Sequence, residues 1–317
     1  MKENGLFINP NEFRSDREIK RKLAMNGDLP TLITPLPSAG DFTYWADRFE
    51  KRQDEYKEHS PRSDNNISIK FHDDAIINFI GDIHTGNPDS DYKRLRQEIE
   101  VICNTPQSYV VLVGDIVDGY FFNPAQFEQI EQTPEQWKYI DSMLRYLAQH
   151  KKLLAAWGGD HDQWATKMGC DPYGQFSDKF GAYYMKGVGY IHAECGDNEY
   201  KITAAHRMPG FSMYNNVHPQ MRNERFGGGA GSDIIVSGHT HKKGHSEQAF
   251  QEFGGAAHKV HYISLGPYKP EDDYSRKLGF AKQSPEQMYG CAIRISKDTK
   301  HVIYYDDILD ANVGVSV

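Results

Sequence analysis

Residues 153–164 read LLAAWGGDHDQW. An apolar run ends at Trp157, two glycines follow, and then carboxylate, imidazole and carboxylate stand in succession at Asp160, His161 and Asp162. A short apolar run closed by glycine reads as a buried strand leaving its sheet. What comes next is either a polar turn that happens to hold a histidine or one corner of a metal site. The turn alone does not decide between them, so the decision rests on whether the chain repeats the pattern.

It repeats it. The apolar run AIINFI (75–80) ends in GDIHTG, with Asp82 and His84. YVVLVG (109–114) ends in GDIVDG, with Asp115 and Asp118. Further on, YKITAAH ends at His206 followed by Arg207, and DIIVSGH runs into GHTH, with His239 and His241. In α/β sheets, ligands gather in the loops beyond the carboxyl ends of strands. Each corner alone is a weak signal: Asp-x-His is usually a turn with a solvated histidine, and GDIVDG alone reads as a strand end with a helix cap. Five corners of this kind, all at apolar strand ends and none with cysteine, read jointly as a metal centre.

Between these strands lie helical patterns at 92–104 (YKRLRQEIEVICN) and 134–150 (PEQWKYIDSMLRYLAQH), with Pro134 suited to a first turn. Strand alternating with helix predicts α/β layering. After about residue 185 the pattern is strand-rich: GYIHAEC, YKITAAH, DIIVSGH, KVHYISLG, CAIRIS and HVIYYDD, with SKDT as the turn of a closing hairpin. The expected architecture is two mixed sheets flanked by helices, a four-layer α-β-β-α sandwich over residues 71–317. Residues 1–70 are polar and proline-bearing and are read as an N-terminal arm. Helical patterns are expected in it near 14–25 and 42–58, the second carrying Phe42, Trp45, Ala46 and Phe49 at helix spacing. The arm is either a strap that packs on the body or an extension that binds a partner or nucleic acid.

The chain has 317 residues, 38% hydrophobic and 25% charged, with a net charge of −8. That charge gives no general attraction to polyanions or to a membrane surface, so nucleic-acid binding would need a local basic patch or bound cations. The four cysteines, 103, 170, 195 and 291, form no CxxC pair, as in proteins of a reducing compartment. The amino-terminal residues show no apolar h-region, and no run approaches the length of a membrane helix. A cytoplasmic protein is expected.

In their order, GDIH, GDIVD, GGDHD, AAH and GHTH resemble the motifs of the calcineurin-like metallophosphoesterases, over roughly residues 74–245. The resemblance implies a pair of metal ions at the mouth of a double β-sandwich. One would be held by Asp82, His84 and His241, the other by Asp160, His206 and His239, with Asp115 bridging the two. His161 would stand near the scissile bond as proton donor or phosphate ligand. A water bridging two cations about 4 Å apart would attack phosphorus in line, with no phosphoenzyme. Mixed imidazole and carboxylate ligands suit Mn²⁺ first, with Fe or Zn²⁺ as alternatives, better than an all-oxygen Mg²⁺ cage. Asp118 and Asp162 could accept hydrogen bonds from ligating histidines, and Arg207 could reach the phosphate.

One residue departs from the family pattern: Asp160 stands where asparagine is usual. An added carboxylate binds metal more tightly, leaves it a weaker Lewis acid, and favours a singly charged diester over a dianionic monoester. For the substrate, three readings compete. The segment 213–231, MYNNVHPQMRNERFGGGAG, mixes Tyr214, His218, Arg222 and Arg225 and could hold a phosphate backbone and stack a base, which makes a nuclease acting on DNA or RNA the first reading. A loose similarity to the DNA-repair nuclease branch agrees. The second reading is a small-molecule phosphodiesterase or phosphatase. Protein serine/threonine phosphatases fit less well, because Gly119 and Asp162 stand where they carry arginine and glutamate. The third is a non-catalytic scaffold, which the retained ligand positions argue against.

Overall fold

The computed structural model describes residues 42–59, 65–120, 127–251, 257–271, 273–279 and 281–313. Helix α1 (Phe42–His59) belongs to a unit separate from the body, which begins at residue 62. It matches the expected helix of the arm, whereas the helix expected near 14–25 lies outside the described residues. Among the described residues no helix is long and apolar enough to cross a membrane.

The body is built on two six-stranded sheets. One has the order β12-β11-β2-β3-β4-β5, where β2 (Ala75–Ile80), β3 (Ser108–Leu112), β4 (Leu153–Trp157) and β5 (Tyr183–Met185) run parallel, and β11 (Cys291–Ile295) and β12 (Val302–Tyr305) close it antiparallel. The other has the order β1-β6-β7-β8-β10-β9. Here β7 (Asn198–Ala205), β8 (Ile234–Ser237) and β10 (Ala257–Ser264) are parallel, while β6 (Gly189–Cys195) is antiparallel to β7 and β9 (Gly244–Gln251) is antiparallel to β10. Strand β1 (Asn66–Phe71) pairs parallel with β6, so the body takes in residues that the sequence reading placed in the arm.

Burial follows the pleat. Ile77 and Phe79 of β2, Val111 of β3 and Trp157 of β4 point between the sheets, against Ile202, Ala204, Val236 and Ile263 of the other. The opposite faces of the same strands, through Ile80, Val110, Leu112 and Ala156, bury against Leu95, Ile99 and Ile102 of α2 (Tyr92–Asn104) and Trp137, Ile140 and Leu144 of α3 (Thr133–Gln149). Strands covered on both faces read as continuous apolar runs, which is why β2, β3 and β4 stand out in the sequence. The other sheet is covered by α5 (His218–Phe226), whose neighbour Val217 packs with Ala205, Ile235 and Tyr262. Helix α4 (Pro172–Lys179) lies between β4 and β5 in the chain.

This topology sets the position of the site. Strands β2, β3 and β4 are adjacent and parallel in one sheet, and β7 and β8 are adjacent and parallel in the other. Their five carboxyl ends therefore open at the same end of the sandwich.

Candidate metal centre

The loops that leave β2 and β3 do not separate at once. Asp82 N–H donates to Gly114 O (2.9 Å), His84 N–H to Asp115 O (3.0 Å) and Thr85 N–H to Ile116 O (3.0 Å). Along this extension Asp82, His84 and Asp115 all hold positive φ, at 52°, 51° and 49°, and so do His239 (69°) and His241 (54°) after β8. Left-handed backbone at a non-glycine residue costs about 1–3 kcal/mol and persists only where the surroundings hold it. Here it turns successive side chains toward a common point.

The glycines permit the close approach. A Cβ on Gly159 would overlap the backbone nitrogen and Oδ1 of Asp115, one on Gly158 would overlap the Tyr184 hydroxyl, and one on Gly238 would overlap Asp82 Oδ2. The two glycines after Trp157 thus serve different neighbours. Asp162 fastens the same corner: its Oδ1 accepts from Ile116 N (3.0 Å) and Val117 N (3.2 Å), and its Oδ2 from Gly159 N (2.8 Å). Its carboxylate meets backbone amides and not a ligating histidine, in contrast to the expectation, because the turn points it back under the β3 loop. Burial and then Asp115 push its carboxyl up to about 7.

Two clusters of metal-competent atoms that share no residue result, Asp82–His84–His241 and Asp115–His206–His239, each with its ligand atoms within 4.8 Å of one another, and a third, His84–Asp118–His161, shares His84 with the first. His84 Nδ1 lies 3.0 Å from Asp118 Oδ1, which assigns the proton to Nδ1 and turns the Nε2 lone pair inward. That lone pair faces His241 Nε2 at 3.0 Å, and His241 Nε2 lies 3.3 Å from Asp82 Oδ1. His206 donates Nδ1–H to Val113 O (2.9 Å). Its Nε2, buried and without a hydrogen-bond partner, lies 3.1 Å from Asp115 Oδ2. Imidazole nitrogens and carboxylate oxygens that converge at about 3 Å fit a pair of cations, and the donor set of imidazole and carboxylate suits divalent ions of borderline softness.

The electrostatics agree. Burial, then the charge of Lys269 and the neighbouring imidazoles, holds His84 well below its ordinary range, so the ring is a neutral ligand. Burial also opposes charge on His206, but Asp115 outweighs it and raises that ring to about 10. The same pairing holds Asp115 below the usual carboxylate range against the burial that would raise it. A proton between His206 and Asp115 is what a cation would displace.

Asp160 stands at the rim and is not in either tight cluster. Its side chain is 45% exposed, with Oδ2 3.4 Å from His239 Nδ1 and 3.5 Å from a terminal nitrogen of Arg207. His161 lies beside the centre with its ring 4.7 Å from that of His84, stacked on Trp164 at 4.1 Å. Its backbone N–H holds Asp115 Oδ1 (2.8 Å), and its Nδ1 faces Asp118 O at 2.7 Å, which leaves Nε2 as the reactive nitrogen.

Some of the support was invisible in the sequence. Lys269 is buried 3.5 Å from Asp118 Oδ1, and Asn87 and Gln129 donate to Asp118 Oδ2. Gln136, on the apolar face of α3, accepts from Gly119 N (3.0 Å). A glutamine beside Trp137 and Ile140 on a buried stripe was the one signal available for it.

The calcineurin-like phosphoesterase family matches residues 76–243, and no curated protein matches the chain. Among solved structures the chain is similar to vacuolar protein sorting 29 from Cryptosporidium parvum, at 14% identity over 73% of this chain and 97% of that one, with a TM-score of 0.37. It is similar to a metallophosphoesterase from Sphaerobacter thermophilus at 12% identity, covering 73% and 87%, with a TM-score of 0.35. It is also similar to the calcineurin-like phosphoesterase YfkN from Bacillus subtilis at 13% identity, covering 76% and 93%, with a TM-score of 0.33. The matched stretch runs from β2 through the histidines after β8 and takes in more than half of the 317 residues: this chain belongs to the calcineurin-like phosphoesterase family.

Proposed function

We propose that the protein is a phosphoesterase dependent on two divalent metal ions, that it hydrolyses phosphodiester bonds, and that its substrate is nucleic acid. The observation that carries the reading is a pair of close contacts between metal-competent atoms, His84 Nε2 with His241 Nε2 at 3.0 Å and His206 Nε2 with Asp115 Oδ2 at 3.1 Å. Asp82, His84 and His241 would hold one ion, His206 and His239 the other with Asp160 at its open side, and Asp115 would lie between them. When bound, two such ions supply a lowered pKa for water and neutralise charge on the phosphoryl oxygens. Mn²⁺ is the first candidate, for its tolerance of mixed oxygen and nitrogen ligands.

The chain's own residues do the rest. Asp115 is oriented through Oδ1 by the His161 amide, so its second oxygen is fixed in direction. His161, held through Nδ1 and by the Trp164 ring, presents Nε2 to the leaving oxygen and can deliver a proton there. Arg207 at the rim supplies a guanidinium for a non-bridging oxygen.

The nucleic-acid reading is supported by the segment that follows His206. Phe211, Met213 and Tyr214 are exposed, Tyr214 by 95%. Lys242, next in sequence to His241, lies 4.8 Å over the Phe211 ring, and Arg222 lies 5.7 Å over Phe226. Exposed aromatic rings with adjacent cations suit stacking of unpaired bases beside a phosphate backbone, at about 1–3 kcal/mol per stacked base.

The test is hydrolysis by Mn²⁺-loaded protein of bis-p-nitrophenyl phosphate, p-nitrophenyl phosphate and labelled single-stranded DNA, with His161→Ala and Asp115→Ala as controls. Cleavage of the diester and the DNA, lost in both variants, is expected. Cleavage of the diester alone would move the substrate to small nucleotides. Inactivity on all three would leave the chain a non-catalytic member of its family.

A further inference from the structure

A second group of metal-competent side chains shares no residue with the centre described above. Strand β9 is the edge of its sheet, antiparallel to β10, and the register sets Glu247 opposite His261 and His245 opposite Ile263. Alternation along both strands puts His245, Glu247 and His261 on one face. Ile263 on that face packs in the core between the sheets. The His245 ring stacks on Tyr304 of β12, the edge strand of the other sheet, with centroids 3.8 Å apart and an interplanar angle of 14°. The three side chains therefore stand where the two sheet edges meet.

We infer that His245, Glu247 and His261 form a further divalent-metal site, suited to Zn²⁺, that fastens the edge strand β9. The distances carry it. His245 Nε2 lies 3.2 Å from His261 Nδ1, and Glu247 Oε1 lies 3.6 Å from the same His261 nitrogen. Tetrahedral zinc with bonds of about 2.0–2.1 Å sets its ligand atoms roughly 3.3 Å apart, so the spacing already matches a coordination shell. One ligand atom from each residue lies within 4.8 Å of the others. Two imidazoles and one carboxylate leave a fourth position for water.

The surroundings fit a site filled from outside. His261 is 2% exposed, whereas the Glu247 side chain is 40% exposed and gives the entry path. Lys259 holds the other oxygen of Glu247 at 2.7 Å, which turns Oε1 toward the imidazoles. Burial holds both rings below their ordinary range, His261 at about 4, so both offer lone pairs near neutral pH. Half of the side chains of β9, GHSEQAFQ, are exposed and the other half partly buried, and its strand pairing is with β10 alone. Its first residue, Gly244, lies three positions after His241. A cation here would tie β9 to β10 at the point where the chain leaves the catalytic loops.

The experiment counts metal. Purified full-length protein is stripped, loaded with excess Zn²⁺, desalted, and analysed for metal per chain. One equivalent fewer is expected in His245→Gln than in the parent, with diester hydrolysis by the Mn²⁺-loaded variant retained. The same equivalent is expected to persist in Asp115→Asn, which removes the shared carboxylate of the other centre. Thus the site can be counted even if the proposed catalytic pair does not exist. Glu247→Ala, at an exposed side chain, guards against a folding defect and is expected to weaken this equivalent at least tenfold. Metal counts unchanged in both His245→Gln and Glu247→Ala would overturn the inference and leave a hydrogen-bonded histidine pair.

Discussion

His84 and His241 face each other nitrogen to nitrogen, Nε2 to Nε2, at 3.0 Å. Because His84 gives its Nδ1 proton to Asp118, the contact holds at most one hydrogen, and in metal-free protein His241 must supply it. A divalent ion held by these two rings would remove that constraint and would tie β2's loop to β8's.

The first prediction concerns metal and folding. A ligand that binds only the folded state stabilises it by about 2.7 kcal/mol at a hundredfold excess over its Kd. For a body of this size that corresponds to a rise in Tm of about 5–10 °C. Thermal unfolding with excess Mn²⁺ and with EDTA checks it. His84→Ala should abolish most of the difference. An identical Tm in both buffers would remove the cation-binding reading of these two histidines.

Asp118 sets the tautomer of His84, and it is itself held by Lys269. In Asp118→Asn the amide can offer its NH₂ to Nδ1, which would swing the His84 proton onto Nε2 and spoil the ligand. Removing such a supporting carboxylate costs 10–100-fold in metal affinity or activity. Metal titration and diester turnover should fall by that range, with the circular dichroism spectrum of the parent. If affinity stays within about twofold, the carboxylate does not set the tautomer.

Much of this was legible beforehand, and the legible parts share a cause. Helix α2 falls on the expected 92–104 because its apolar face is periodic and Asp91 caps it through Arg94 N–H. Strands β2, β3 and β4 are buried on both faces, so their runs are apolar almost throughout, with Asn78 of β2 the buried exception, satisfied by Ser108 Oγ and Tyr109 O. Strand β9 was missed because an edge strand can be polar on both faces: β10 supplies its hydrogen bonds and the sequence need not announce them. Strand β1 was missed for a related reason, since its alternating exposure resembles the polar arm before it. In the site, the identity of the corners was visible while the direction of the side chains was not. Asp118 and Asp162 look alike in sequence, yet one meets an imidazole and the other three backbone amides. The left-handed backbone at Asp82, His84, Asp115, His239 and His241 could not be read from residue type, because aspartate and histidine, although enriched there, adopt it at only a small share of their positions.

Gly159 is where the opening question about two glycines is answered by experiment. Gly159→Ala would press its methyl against Asp115 N and Oδ1. Backbone there cannot yield without moving the β3 loop. The expected cost is about 1–3 kcal/mol of stability, as for other overpacked sites, with loss of diester hydrolysis. Gly169→Ala is the control, since nothing lies within 4 Å of its Cβ position, although its φ of +85° carries some strain. Denaturant unfolding reads the stability cost in each variant and diester hydrolysis distinguishes the two: the hydrolytic defect must appear at Gly159 and not at Gly169.

Glu98 supplies a pH dependence away from the centre. Burial raises its carboxyl to about 7, against the hydrogen bonds from Tyr268 and Arg94 that draw it down. The folded state then binds a proton that the unfolded state releases near 4.5. Stability from this group is therefore complete below that value and is lost as pH rises through about 7. The ceiling is about 3 kcal/mol, at 1.36 kcal/mol per pKa unit. Urea unfolding between pH 5 and 8 should show the decline, and Glu98→Gln should flatten it. A slope unchanged in the variant would assign the decline to other groups.

Asp160 bears on substrate choice. Its carboxylate sits between His239 and Arg207, so it adds negative charge to one side of the centre and engages the Arg207 guanidinium. Asparagine there would remove one negative charge while keeping the shape. A more positive centre with an unengaged Arg207 should attract a dianionic monoester more strongly than a singly charged diester. Asp160→Asn is therefore expected to lower the ratio of kcat/KM for bis-p-nitrophenyl phosphate over p-nitrophenyl phosphate by roughly tenfold, the equivalent of about 1.4 kcal/mol. It should also weaken metal retention on dialysis. Arg207→Ala separates the two effects, because it should raise KM for both esters without altering metal content. An unchanged ester ratio in Asp160→Asn would mean that the carboxylate serves only to hold Arg207, and the choice of ester would then lie with the rim residues after His206.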